Sequence, residues 1–250
     1  NITAFAINPV PLIKNVIKTA SVPAIFVQNI FDPKLFELNQ QGFLNGHVPI
    51  SAFYAFYSLL TAYLLDIPNV AFSNERSSSE GNTNYLGHDI NHQYSKTLEF
   101  ETDLINYVSS PKYFSFIRPL YELQITKLFS QYPQYFNIFS SCNNNFKLNK
   151  INNNLWCREC PKCVSTALMF SQFISKEKVT EIMGKFPHNQ KILDELTGVS
   201  PIKPFECVLT RNEALACTTG KGLDEIFNSW QDNPNMPEEF SKLLKLALNK

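Results

Sequence analysis

Glycine is scarce in this chain, 8 of 250 residues, and no two glycines are adjacent. A phosphate-binding loop built on a Gly-Gly pair is therefore missing from the sequence. An excess of either charge is missing too, since 22 Lys and Arg balance 22 Asp and Glu at a pI near 7.0. That balance excludes a general electrostatic grip on nucleic acid or anionic lipid, and leaves room for a local basic pocket. No charged segment followed by an apolar run and a cleavage site precedes the rest, so no secretory leader is expected. The chain opens at Asn1, directly on the apolar run 2–7. We expect from this a fragment whose upstream part is missing.

Apolar residues make up 44% of the chain, enough for a sizeable core. Residues 38–65 hold no Lys, Arg, Asp or Glu. A membrane span needs ~20 mostly apolar residues. The stretch 48–65 instead carries Pro49, Ser51, Ser58 and Thr61, with no flanking Lys or Arg. A helix buried against a sheet is the favoured reading, with a membrane role as the alternative.

The first third reads as strand 3–7, helix 9–20, strand 23–28, helix 48–65 and strand 69–73. This is the rhythm of a parallel α/β sheet. From Pro161 onward nearly every segment reads helical, punctuated by Gly184, Gly198, Gly220 and Pro237. The expected division is an α/β nucleotide and substrate domain over 1–140 and a cysteine knot with a helical appendage over 141–250. The asparagine runs 143–145 and 152–154 read as compositional bias in an exposed loop.

Residues 74–96 are polar and follow a strand, where open parallel sheets bind ligands. The segment contains Asn74, Glu75, Arg76, Ser77, His88, Asp89, His92, Gln93, Ser95 and Lys96, with Glu99 just beyond. Hydroxyls, amides and free N–H groups suit phosphate oxygens. Glu75, Asp89 or Glu99 would suit Mg2+, which takes one or two carboxylates plus substrate phosphates. His92 and Lys96 lie four apart, so on a helix they would share a face and serve as acid and base. His47 opens the long apolar helix, either as an anion ligand or as a cap. A solvated excursion is the bland reading of the whole loop.

Four of the six cysteines form the pattern C-x14-C-x2-C-x2-C at Cys142, Cys157, Cys160 and Cys163. Two-residue spacing lets one turn present successive sulfurs to one ion, and four thiolates close a tetrahedral zinc site. An iron–sulfur cluster or plain reduced thiols are the alternatives. Arg158 and Lys162 would offset the charge of a tetrathiolate. Cys207 and Cys217 have no ligand spacing and read as core thiols.

Several blocks occur together in one order: Asn45-Gly46-His47-Val48-Pro49, Ser73-Asn74-Glu75-Arg76-Ser77, and Asn91-His92-Gln93-Tyr94-Ser95-Lys96 with Glu99. Phe114-Ser115, Arg118-Pro119-Leu120, Ser141-Cys142-Asn143 and the run Trp156 to Cys163 follow. In these the chain resembles the MurL family, over about residues 3–173. The resemblance implies an ATP-pyrophosphatase-like α/β fold. It also implies a cytoplasmic peptidoglycan-precursor enzyme that uses ATP and Mg2+. Its substrate would be UDP-MurNAc-L-Ala-L-Glu, whose terminal glutamate it inverts with release of AMP and diphosphate. By the same resemblance the cysteines are a structural zinc knot, as in 7-cyano-7-deazaguanine synthases.

Combined with the residues, it makes His92, Lys96 and Glu75 the catalytic candidates. His47, Asn74, Arg76, Ser77, Gln93, Ser95, Glu99 and Arg118 are then substrate or nucleotide ligands, with the two arginines holding carboxylates or diphosphate. The chain departs from the superfamily in lacking its S-G-G-x-D-S loop, as though it entered the fold at the second strand. Two further readings stand beside the epimerase. One is an ATP-pyrophosphatase that modifies a nucleoside or tRNA base, and the other is a zinc-stabilised binding module without catalysis. Neither a nucleic-acid nor a membrane partner is expected for the epimerase.

Overall fold

The computed structural model describes residues 2–44, 49–146 and 154–248. It is a mixed α/β chain with short parallel sheets and many helices. Strand β1 (Ala4–Ile7), helix α1 (Pro11–Ala20) and strand β2 (Ala24–Val27) form a parallel βαβ unit, with Ala4 opposite Ala24. Pro11 opens α1, where its missing N–H costs nothing. Helix α2 (Pro33–Gln40), which the sequence did not suggest, starts at Asp32, whose side chain accepts from the Lys34 N–H.

Helix α3 (Ile50–Leu64) then leads to strand β3 (Asn69–Phe72). As expected it is buried against a strand pair, on one face. One stripe, Ser51, Ala55, Ser58, Leu59 and Ala62, faces inward, while Phe56, Leu60, Tyr63 and Leu64 are exposed. Among the described residues no helix is long and apolar enough to cross a membrane.

Residues 76–79 form a single 3-10 turn, followed by the hairpin β4 (Thr83–Tyr85) and β5 (His88–Ile90). Helix α4 (Leu98–Tyr107) is capped by Thr97, whose hydroxyl accepts from the Phe100 N–H. Strand β6 (Lys112–Ser115) pairs parallel with β3, Asn69 opposite Lys112. The parallel pairing is as expected. The sheet is divided into two separate pairs, β1–β2 and β3–β6, where the sequence suggested one. Tyr113 of β6 packs with Ala55, Leu59 and Leu104 to form one core.

The remainder is helical: α5 (Glu122–Phe129), which the sequence did not suggest, and then, as expected from Pro161 onward, α6 (Pro161–Phe170), α7 (Lys176–Met183), α8 (Gln190–Thr197), α9 (Arg211–Thr219), α10 (Leu223–Phe227) and α11 (Glu238–Leu248). This half is no loose appendage. Leu123 of α5 shares a core with Val164, Leu196, Leu209 and Ala214. Buried Glu213 caps α9 through Thr210 and also accepts the Leu123 N–H of α5 at 2.9 Å. Asn233 donates to Glu101 at 2.8 Å and to the Ser115 carbonyl at 3.0 Å. The helices therefore clamp the carboxyl end of β6.

Candidate functional site

Strands β3 and β6 end side by side, with the Phe116 N–H on the Phe72 carbonyl at 2.8 Å. The polar loop leaves from this edge. Asn74 is buried and donates to Ser115 Oγ at 3.0 Å. Arg118 is 1% exposed and donates to the Glu75 carbonyl at 3.0 Å, the Lys96 carbonyl at 2.6 Å and the Glu101 carboxylate at 3.5 Å. It ties the start of the loop, its end and α4 together. Its two terminal nitrogens are engaged by the fold, while its buried Nε has no hydrogen-bond partner among the described residues. Arg76 is similarly engaged: it donates to Ser229 Oγ and the Pro119 carbonyl and lies 4.0 Å from the Tyr121 ring centre.

Inside this frame lies a cleft of about 210 Å³ between α5 and α6, lined by Glu122, Phe129, Ser141, Lys162, Thr166 and Cys207. Drug-sized pockets start near ~300 Å³, so this cleft is smaller than a site for a whole drug-sized ligand. Its walls are apolar except for a few groups that can hold or move protons. Ser77 Oγ sits 2.7 Å from Glu122 Oε1 and 3.1 Å from Glu75 Oε1. Burial, then the nearby Glu75 and Glu213 carboxylates, push Glu122 up to about 8, against the pull of Ser77 and Lys162. One hydroxyl proton cannot serve two carboxylates. A protonated Glu122 donating to Ser77, which donates to Glu75, satisfies all three groups.

On the Cys207 side, Lys96 Nζ approaches the sulfur at 3.3 Å and the thiol donates to Gln93 Oε1 at 2.6 Å. Burial pushes the Cys207 thiol up, and the Lys96 charge opposes that shift. Lys203 pairs with Glu80, and Asn82 donates to the Pro204 carbonyl at 2.8 Å. Residues 203–207 are thereby laid along the loop.

Not all candidates converge. His92 lies before the 3-10 turn Tyr94–Lys96, so the helical spacing to Lys96 does not apply. Its Nδ1 contacts Asn82 Oδ1 at 2.6 Å and its ring meets Phe205 edge-on, while Lys96 turns to Cys207. Glu99 is exposed beside Tyr94, and Asp89 is exposed on the hairpin. Glu75, Asp89 and Glu99 form no three-carboxylate cluster among the described residues. Ser95 is buried within the turn. His47 lies outside the described residues.

The four spaced cysteines do converge. Their sulfurs all lie within 4.8 Å of one another, with Cys157 to Cys163 at 3.7 Å and Cys160 to Cys163 at 3.5 Å. Tetrahedral zinc with bonds of about 2.3 Å sets its sulfurs about 3.8 Å apart, so the donor set fits. The Cys157 N–H points at Cys142 Sγ and the Cys160 N–H at Cys157 Sγ, both at 3.4 Å. Arg158 makes the turn between them with φ of 69°. Hydrogen bonding from Cys163 pulls Cys160 down to about 5. The cluster packs into a core with Trp156, Phe136 and Phe170.

Sequence reasoning missed Glu122, Lys162 as a cleft residue, and Cys207. No local signal marks Cys207, because its partner Lys96 is 111 positions away. The MurL N-terminal domain model matches residues 1–116 and the MurL C-terminal domain model residues 138–248. The chain is 36% identical over 239 residues to a Salinispora tropica protein named UDP-N-acetyl-alpha-D-muramoyl-L-alanyl-L-glutamate epimerase, covering 92% of the chain and 51% of the relative. A Micromonospora protein of the same name is 35% identical over 92% of the chain and 53% of its own length. One from Xanthomonas oryzae is 35% identical over 79% and 46%. The chain thus spans about half the length of the curated relatives it matches. No solved structure matches it.

Proposed function

The chain belongs to the MurL family, and from that premise we propose that it takes part in inverting the terminal L-glutamate of UDP-MurNAc-L-Ala-L-Glu to the D form. The observation that carries the reading is the cleft itself. It is small, apolar-walled and bounded by a carboxyl group, Glu122, held at about 8 and linked through Ser77 to Glu75. A general base works best when its pKa lies near the working pH.

The chemistry demands such a group. Removing an α-proton beside a carboxylate builds a second negative charge on the same small unit. Converting that carboxylate to an acyl-adenylate with ATP gives the charge somewhere to go, and a modest base then suffices. ATP with Mg2+ is part of the proposal on this ground, with Mg2+ offsetting phosphate charge. In our reading Glu122 passes its proton to Ser77 as Ser77 gives its own to Glu75, and the ionised Glu122 then takes the α-proton. Lys96 serves as the proton-bearing cation beside Cys207. His92 acts at one remove, holding the loop through Asn82. Cys142, Cys157, Cys160 and Cys163 would hold zinc, which supplies a cross-link beneath the first turn of α6 and so fixes Lys162.

The test is incubation with ATP, Mg2+ and the L-Glu precursor, reading AMP and the chirality of the product glutamate. D-Glutamate with stoichiometric AMP is expected. Persisting L-glutamate without AMP would sink the reading.

A further inference from the structure

Inversion at a carbon needs two proton-handling groups, one to take the proton and one to return it to the other face. The Glu122 chain supplies one. The cleft has a second, chemically distinct group in Cys207, which lines the same space. Its thiol is built into a cluster: Gln93 Oε1 accepts its proton at 2.6 Å, and Lys96 Nζ stands 3.3 Å from the sulfur. Glu75 and Lys162 are the other charged groups that act on it. These contacts join the polar loop of one half of the chain to the segment before α9 in the other.

A core thiol has no need of this setting. Cys217 is such a thiol, packed against the apolar core. At Cys207, Gln93 aims the S–H bond, and the Lys96 ammonium is placed to stabilise a thiolate once the proton has left. Burial holds the thiol protonated at rest, which is the state a donor needs.

We propose that Cys207 is the second proton-transfer residue of the epimerisation, returning a proton to the glutamyl α-carbon. This rests on the epimerase reading above. In the step, the Cys207 S–H bond breaks and a C–H bond forms at the α-carbon, using the electron pair left by abstraction. The thiolate that remains lies beside Lys96. A Lys96 N–H bond then breaks and S–H re-forms, and Lys96 recovers a proton from solvent.

The experiment runs the reaction in D2O with ATP, Mg2+ and the L-Glu precursor, comparing the wild-type chain with Cys207→Ser and Cys207→Ala. For wild type, AMP release and D-glutamate carrying α-deuterium are expected. In the variants AMP release should persist within about threefold, while D-glutamate formation falls by about 100-fold or more. Returned L-glutamate should still gain deuterium, because the first base still works. Epimerisation by Cys207→Ala within twofold of wild type would overturn the assignment while leaving the epimerase reading intact. Wild type giving neither AMP nor D-glutamate would overturn both.

A second measurement needs no variant to fold. Iodoacetamide labelling of Cys207 in the wild-type chain, read by mass spectrometry, should slow at least tenfold when the precursor is bound. Unchanged labelling at saturating precursor would also overturn the assignment.

Discussion

Ser77 Oγ stands 2.7 Å from Glu122 Oε1, joining the polar loop after β3 to the first turn of α5. The contact spans 45 residues of sequence and places a hydroxyl between two carboxyl groups. In the proposed reaction these three groups would act as a proton store beside the cleft.

That store makes stability depend on pH. Glu122 rises from an ordinary 4.5 to about 8 in the folded chain. Between those values the folded state keeps a proton that the unfolded state has released. Raising pH through this window therefore favours unfolding. Thermal melts of the wild type should show a falling Tm from pH 5 to 8, and Glu122→Gln should remove that part of the fall. The same slope in both proteins would refute the raised value.

The cysteine cluster predicts a metal content. Purified chain should carry about one zinc per molecule by elemental analysis. Cys163→Ser should lose the ion and melt well below wild type, because the cluster sits in a core with Trp156. Cys217→Ser should keep the ion. Iron in place of zinc would redirect the reading to an iron–sulfur centre, and no metal at all would remove the knot.

Arg118 separates a structural role from a binding one. It and Glu101 are each 1% exposed, and the pair joins the loop to α4. Arg118→Met should cost about 3–5 kcal/mol in urea unfolding, since it strands a buried carboxylate. A variant that folds with wild-type stability and shows only weaker substrate binding would restore the ligand role expected from sequence.

Lys96 and His92 should behave differently. Lys96 reaches Cys207 in the cleft, whereas His92 is held by Asn82. Lys96→Met should lower D-glutamate formation by about 100-fold or more. His92→Ala should keep turnover within about tenfold and lower the Tm. Equal losses of turnover in the two variants, with unchanged melting, would return His92 to the chemistry.

Much of the fold was legible along the chain. Alternating strand and helix patterns marked β1, α1, β2, α3 and β3, and Gly184, Gly198 and Gly220 stand at the left-handed C-caps of α7, α8 and α9. Helix α2 escaped because eight mixed residues carry little periodicity. The α3 reading as a helix packed against a sheet held, but a charge-free segment gave no sign that Phe56, Leu60, Tyr63 and Leu64 on its other face are exposed. The loop 74–99 was recognisable by composition, yet composition could not separate Arg118, buried against Glu101, from Lys96, which reaches Cys207.

The sequence by itself determined local matters: the helical character after Pro161, the polar loop, and the two-residue spacing of Cys157, Cys160 and Cys163, whose short turns bring those three sulfurs together. It also carried the family, since ordered blocks of residues need no coordinates to be matched. Only the tertiary structure decided which groups share a cleft. Glu122 meets Ser77 across 45 positions, and Cys207 meets Lys96 across 111. Contacts that distant leave no periodic trace in the chain, because they depend on how the helical half closes over the ends of β3 and β6.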